Sequence, residues 1–129
     1  SKLWPKGTLC ITIAANIAKT GVLNFDACFP DSVVGFLPGI RVTTPYVQGW
    51  LHFLRPMLEA TAPQAAQKNI NLNILRNLSI PVPPIEYQSR YEALVDSIIS
   101  IGLQQYESRV KAEAAFSSLL ARSFSGELY

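Results

Sequence analysis

The sequence predicts an α+β chain: a small mixed α/β region followed by one long helix of the coiled-coil type. Three observations carry this reading. All nine prolines of the 129 residues lie at or before Pro84. Proline has no amide hydrogen and clashes with the preceding helical turn, so the proline-free stretch from Ile85 onward permits a long helix. Apolar residues in that stretch recur at three–four spacing: Tyr91, Leu94/Val95, Ile98, Ile101, Tyr106 and Val110. Charge divides at the same place. Residues 1–84 carry seven Lys or Arg against three Asp or Glu, a balance of +4. Residues 85–129 carry four against six, a balance of −2. Two regions follow, 1–84 and 85–129, with Pro81, Pro83 and Pro84 as the hinge between them.

In the first region Leu9 to Ala14 reads as a strand with little polar alternation, so both faces are expected to be covered. Lys19-Thr20-Gly21 reads as a turn, with Val22-Leu23 as a short strand after it. Val33 to Leu37 is a further strand, ended by Pro38-Gly39. Thr44-Pro45 is a helix start, a cap followed by a first-turn proline. Tyr46, Trp50, Phe53, Leu54 and Leu58 follow at helical spacing, and Pro56 predicts a kink or break among them. Asn71 can cap a short helix holding Leu72, Leu75 and Leu78. Ile80 and Val82, near prolines, read as extended. A single helix over 85–124 would be about 60 Å long at ~1.5 Å per residue. A compact chain of this length has a radius of gyration of about 14 Å. The helix must therefore break, with Ser100-Ile101-Gly102 the candidate point, or project and find a partner. Ser125-Gly126 reads as its stop.

Composition excludes several classes. At 49% hydrophobic and 16% charged the chain can bury a core, and disorder is not its dominant state. No apolar run approaches the roughly 18 residues of a membrane span, and no signal peptide opens the chain. The expectation is a soluble cytoplasmic protein with no membrane partner. Cys10 and Cys28 form no CxxC pair, which argues against a disulfide framework or zinc site. Catalysis is poorly supported. His52, the one histidine, lies in an apolar helical stretch and would have to be the general base of any nucleophilic triad. No Gly-rich phosphate loop and no metal-spaced cluster occurs. Asp26 and Asp31 flank Phe29-Pro30 and read as turn chemistry. No cofactor and no metal are expected.

Two polar clusters remain. Asn16, Lys19 and Thr20 follow the first strand, and Gln64, Gln67, Lys68, Asn69 and Asn71 lie between two helical segments. Lysine neutralises phosphate, and Asn or Gln can pair with adenine edges. Polar loops are common, so the clusters alone do not identify a nucleic-acid binder.

Taken together, these segments resemble the specificity subunits of type I restriction–modification systems. The resemblance runs through Gly7 to Gly21 and Phe25 to Phe36, and it returns in Gln67 to Leu75 and Ile80 to Ile85. The family's Pro-Pro-Leu-x-Glu-Gln entry to a long helix reads here as Pro83-Pro84-Ile85-Glu86-Tyr87-Gln88, with tyrosine where the pattern has glutamate. Leu119 to Leu128 is similar to the family's C-terminal pattern. The resemblance implies that 1–84 is the C-terminal part of a DNA target-recognition domain and 85–129 a conserved spacer and dimerisation helix. It implies a non-catalytic module that contacts one half of a bipartite target in double-stranded DNA. In such subunits two long helices pack antiparallel as a ruler between half-sites. Adenine methyltransferase (modification) subunits and restriction subunits assemble on them. On that reading Asn16, Lys19, Thr20, Gln67, Lys68, Asn69 and Asn71 face DNA. Tyr91, Leu94, Val95, Ile98, Ile101 and Tyr106 form a subunit interface, with a second copy of the chain as partner in a homodimer. The alternative is an assembly piece whose helix pairs while the chain itself binds no DNA.

Overall fold

The computed structural model describes residues 2–61 and 70–126. The chain divides into two compact units, residues 1–91 and 92–129. The first unit opens with three strands, β1 (Leu9–Thr12), β2 (Thr20–Val22) and β3 (Val33–Phe36). They form an antiparallel sheet in the order β2-β1-β3. Leu9 pairs with Val22 on one side and Phe36 on the other, and Cys10 with Gly21 and Gly35.

Side chains alternate across β1, as the pleat requires. Leu9 and Ile11 are buried, whereas Cys10 and Thr12 are half-buried. Both faces are thus covered, but unequally. Leu9 and Ile11 pack with Val47 and Leu51 of α1 (Thr44–Thr61), with Phe36, Val42, Leu75, Leu78 and Ile80 around them. On the Cys10–Gly35 side the cover is an aromatic pair. Trp4 and Phe29 stack with ring centroids 5.3 Å apart, and a Cβ at position 35 would lie 2.8 Å from Trp4. Only glycine leaves room for that pair.

β1 is shorter than expected because Ile13 leaves the ladder. Its amide donates to Ser32 O, and its carbonyl accepts from Ile70 N, both at 2.9 Å. Thr20 and Gly21 belong to β2 and not to a turn. The reversal occurs earlier, where Ala15 (φ 60°) and Ala18 (φ 59°) take left-handed backbone. Sequence reasoning placed the turn at the glycine, and the chain uses two alanines instead.

α1 begins at Thr44, so Thr44 is the first helical residue and not the expected cap; the cap is Thr43, whose Oγ1 accepts from Tyr46 N at 3.4 Å. It runs through Pro56 without a break in the helix. Pro56 is exposed, so its ring faces water, while the buried side chains Leu51 and Leu58 hold the helix on both sides of it. α2 (Leu72–Arg76) is capped by Asn71, whose Oδ1 accepts from Ile74 N at 2.9 Å. Leu78 lies beyond its end but still packs on both apolar clusters. Ile80 and Val82 form no strand; Tyr46 Oη donates to Pro81 O there at 2.6 Å.

α3 (Ile85–Phe124) starts in the first unit. Gln88 anchors it and is fully buried. Its Oε1 accepts from Thr43 N at 2.8 Å, and its Nε2 donates to Arg41 O and Pro83 O, each at 2.9 Å. Tyr91 packs its ring edge-on to Tyr46, centroids 6.1 Å apart, above Gly49.

The second unit is the remainder of α3. It runs unbroken through Ser100-Ile101-Gly102, so a break there is excluded. A lone glycine costs a helix only ~1 kcal/mol. Arg109 and Glu113 pair at 3.5 Å one turn apart. Leu94, Ile98, Ile101 and Tyr106 are exposed and Val95 is half-buried. Ser125 and Gly126 form the turn that follows. No helix among the described residues is long and apolar enough to cross a membrane.

Candidate nucleic-acid interface

The bend between β1 and β2 is built to present polar groups. Ile17 and Ala18 point inward and pack with Leu58 and Ile70. Thr12 closes the base: its amide donates to Lys19 O at 2.9 Å, and its hydroxyl accepts from Lys19 N at 3.0 Å and donates to Asn16 O. With the apolar residues anchored and the base clamped, Asn16 and Lys19 are left exposed. Left-handed alanines cost of order 1–2 kcal/mol each, a cost the buried anchors must offset. Thr20 is half-buried, and its hydroxyl accepts from Gln48 Nε2 at 3.2 Å.

The second polar cluster is only partly visible. Gln67, Lys68 and Asn69 lie outside the described residues, as does Gln64. Asn71 is exposed with its Oδ1 engaged as the cap of α2. Its neighbour Ile70 bonds Ile13 and packs against Ile17 and Ala18. The fold therefore brings Ile70, at the start of the α2 segment, against the β1–β2 bend more than fifty residues away in sequence.

α1 adds a stripe that sequence reasoning passed over. Gln48, His52, Arg55 and Glu59 share one helical face by their four-three-four spacing. Gln48 reaches Thr20, while Arg55 and Glu59 join Ala15, Asn16 and Ile17 around a small hollow of about 190 Å³. The available clue was polar residues at fixed spacing in an otherwise apolar helix. Their meeting with the bend is a long-range event that no local pattern encodes.

The other titratable groups offer little chemistry. Burial pushes the Cys10 thiol up, disfavouring the thiolate. Cys28 is exposed, and His52 is exposed on α1. Among the described residues no cluster of three or more potential ligands could hold a metal ion. A larger hollow of about 740 Å³ lies along β3 and is mainly apolar, lined by Ile11, Phe36, Val47, Trp50, Leu75 and Ile80 among others. Trp50 Nε1 is buried with no hydrogen-bond partner among the described residues.

An anchored polar bend on a small α+β unit that leads into a long helix is the arrangement the structure presents. The family model of the type I restriction modification DNA specificity domain matches residues 1–114, and the chain belongs to that family. It is 27% identical over 132 residues to the type I restriction enzyme EcoBI specificity subunit of Escherichia coli, covering 95% of this chain and 28% of that protein. Two solved structures share the fold. One is from a study of complex assembly and conformational transition of the type I R-M system, with TM-score 0.75, 25% identity, and 92% and 30% coverage of the two chains. The other is the HsdS subunit from Thermoanaerobacter tengcongensis, with TM-score 0.66, 27% identity, and 78% and 24% coverage. The chain thus spans 24–30% of the length of these relatives.

Proposed function

We propose that the chain reads one half of a bipartite target in double-stranded DNA and scaffolds modification subunits through its long helix. Residues 1–84 serve as the C-terminal part of the target-recognition domain, and 85–129 as the spacer and dimerisation helix. The observation that carries this reading is the exposed polar bend, held in a defined shape by its buried anchors, in a chain of a DNA specificity family. Phosphate contacts by Lys19 and Lys68 position the face, and Asn16, Thr20, Gln67, Asn69 and Asn71 supply hydrogen-bonding groups toward base edges. The chain carries out no chemistry of its own. Adenine methyltransferase and restriction subunits of the same system are the partners, and they supply it.

The apolar stripe of α3 supports pairing with a second copy. Leu94 and Ile98 are about two-thirds exposed, at 64% and 67%, and such a stripe needs cover. A symmetric pair would place two recognition faces in two-fold relation and suit a palindromic bipartite site.

Alanine replacement of Asn16, Lys19, Thr20, Gln67, Lys68, Asn69 and Asn71 in an intact specificity subunit tests the DNA face. Binding should collapse, and Lys68→Ala alone should lower the salt slope by about one phosphate contact. Unchanged binding after all seven replacements rejects the assignment. Sedimentation of the chain at micromolar concentration tests pairing: Leu94→Asp with Ile98→Asp should convert dimer to monomer. A parent chain that is already monomeric rejects the homodimer. Dimerisation without salt-sensitive DNA binding would favour the alternative of an assembly piece.

A further inference from the structure

Arg55 stands beside the β1–β2 bend without belonging to it. Its Nε donates to Glu59 Oε1 at 2.8 Å, one helical turn further along α1. Both side chains remain accessible, 34% and 44% exposed. With Ala15, Asn16 and Ile17 they line the small hollow at the foot of the bend. Ala15, which precedes Asn16, is in left-handed backbone. A guanidinium thus lines the same hollow as the exposed Asn16.

The pair is singly bonded. Glu59 takes only the Nε hydrogen, and among the described residues no other acceptor engages the two terminal nitrogens. A guanidinium has five donors in a planar fork suited to bidentate contact with phosphate. An accessible same-helix ion pair is weak and screened by salt. A phosphate at the hollow therefore competes on favourable terms, because it offers two acceptors in the geometry the fork prefers.

We infer that Arg55 is a further phosphate contact of this interface, and that Glu59 holds it in the free chain and competes with DNA for it. The inference rests on the DNA-binding reading above and extends it to α1. The exchange makes a pair of opposite charges into a conditional cation. Without DNA the two charges cancel locally, so the face is less attractive to anions in general. When a phosphate docks, Arg55 turns to it and Glu59 is released to solvent. Asn16, across the hollow, is placed to bond the same backbone segment or the base edge above it.

Fluorescence anisotropy with the full chain and a random-sequence duplex tests this without knowledge of the target. Both positions lie at the surface, and circular dichroism checks that the variants keep their helix. Arg55→Ala should weaken binding and lower the slope of log K against log salt by about 0.9. Over a fourfold rise in salt the variant then loses about 3.5-fold less affinity than the parent. Glu59→Gln should tighten binding, and more than half of that gain should vanish when Arg55 is already alanine. An equal gain in both backgrounds would mean that Glu59 acts only through net charge, and the competition is refuted. Lys19→Ala is the reference. If it lowers the slope while Arg55→Ala does not, the DNA reading stands and the role of Arg55 falls. If the parent chain gives no salt-sensitive binding to the duplex, the DNA reading fails and the inference fails with it.

Discussion

Replacing Gly49 by alanine sets two forces of known sign against each other. A glycine-to-alanine change inside a helix normally stabilises by about 1 kcal/mol. Here the added methyl would lie 1.9 Å from Tyr91 Oη and 2.8 Å from its Cζ, so the phenol ring must swing away. Tyr91 is 37% exposed, so about two-thirds of its side chain is covered. Exposing roughly 100 Å² of it costs about 2.5 kcal/mol at ~25 cal/mol/Å². Loss of the edge-to-face contact with Tyr46 adds about 0.5–1.5 kcal/mol. The swung ring recovers part of this elsewhere, so the net expectation is destabilisation by about 1–2 kcal/mol. In a Tyr91→Ala background the obstacle is gone, and the same alanine should stabilise by about 1 kcal/mol. Urea denaturation followed by tryptophan fluorescence measures both arms of this double-mutant cycle. The sign reversal is the diagnostic. Stabilisation by Gly49→Ala in both backgrounds would refute the seat of Tyr91 over Gly49. It would also free Tyr91 to serve the helix–helix interface for which the sequence first nominated it.

Pro56→Ala should stabilise the chain by about 1–3 kcal/mol in the same urea assay, because α1 runs through the proline at the cost of one hydrogen bond; destabilisation would mean that the ring packs on something essential. Asn71→Ala should cost about 1 kcal/mol, since α2 has five residues and one side-chain cap, and Asn71→Asp should retain most of the stability. Iodoacetamide at pH 8 should alkylate Cys28 well before Cys10, by mass spectrometry of timed digests. Burial raises the Cys10 pKa and so depletes its reactive thiolate, and the gap should narrow as pH rises toward that pKa; equal rates at pH 8 would contradict the placement of Cys10.

Local chemistry was readable where one segment decides its own fate. α1 began within one residue of the Thr44-Pro45 signal, Asn71 capped α2, and the proline-free stretch became one helix from Ile85 to Phe124. Reading failed where distant residues decide. Pro56 does not break α1, because Leu51 and Leu58 are held by packing from strands and loops far off in sequence. The reversal before β2 was misplaced because Ala15 and Ala18 adopt backbone that their side chains disfavour, a choice made by the burial of Ile17 and Ala18. The candidate site divides the same way. Asn16 and Lys19 were visible as polar residues after a strand. Arg55 and Gln48 became candidates only when α1 was laid beside the bend.

Gln88 bears on how chains of this family can diverge. All three groups that bind its amide belong to the main chain, at Thr43, Arg41 and Pro83. Main-chain groups are supplied by every amino acid, with the single restriction that position 43 keep its N–H and so not become proline. Positions 41 and 43 can therefore drift in side-chain identity while the latch stays whole. The glutamine is the opposite case: few other side chains offer one acceptor and two donors on a planar head at that reach. The partners constrain the identity of residue 88, and residue 88 does not constrain the side chains of its partners. A designer grafting a foreign recognition unit onto this helix would need to match a loop's path and not its sequence. A joint cut at Pro84 would part the glutamine from all three of its partners, whereas one that carries the 41–43 loop, Pro83 and Gln88 together would keep the fastening intact.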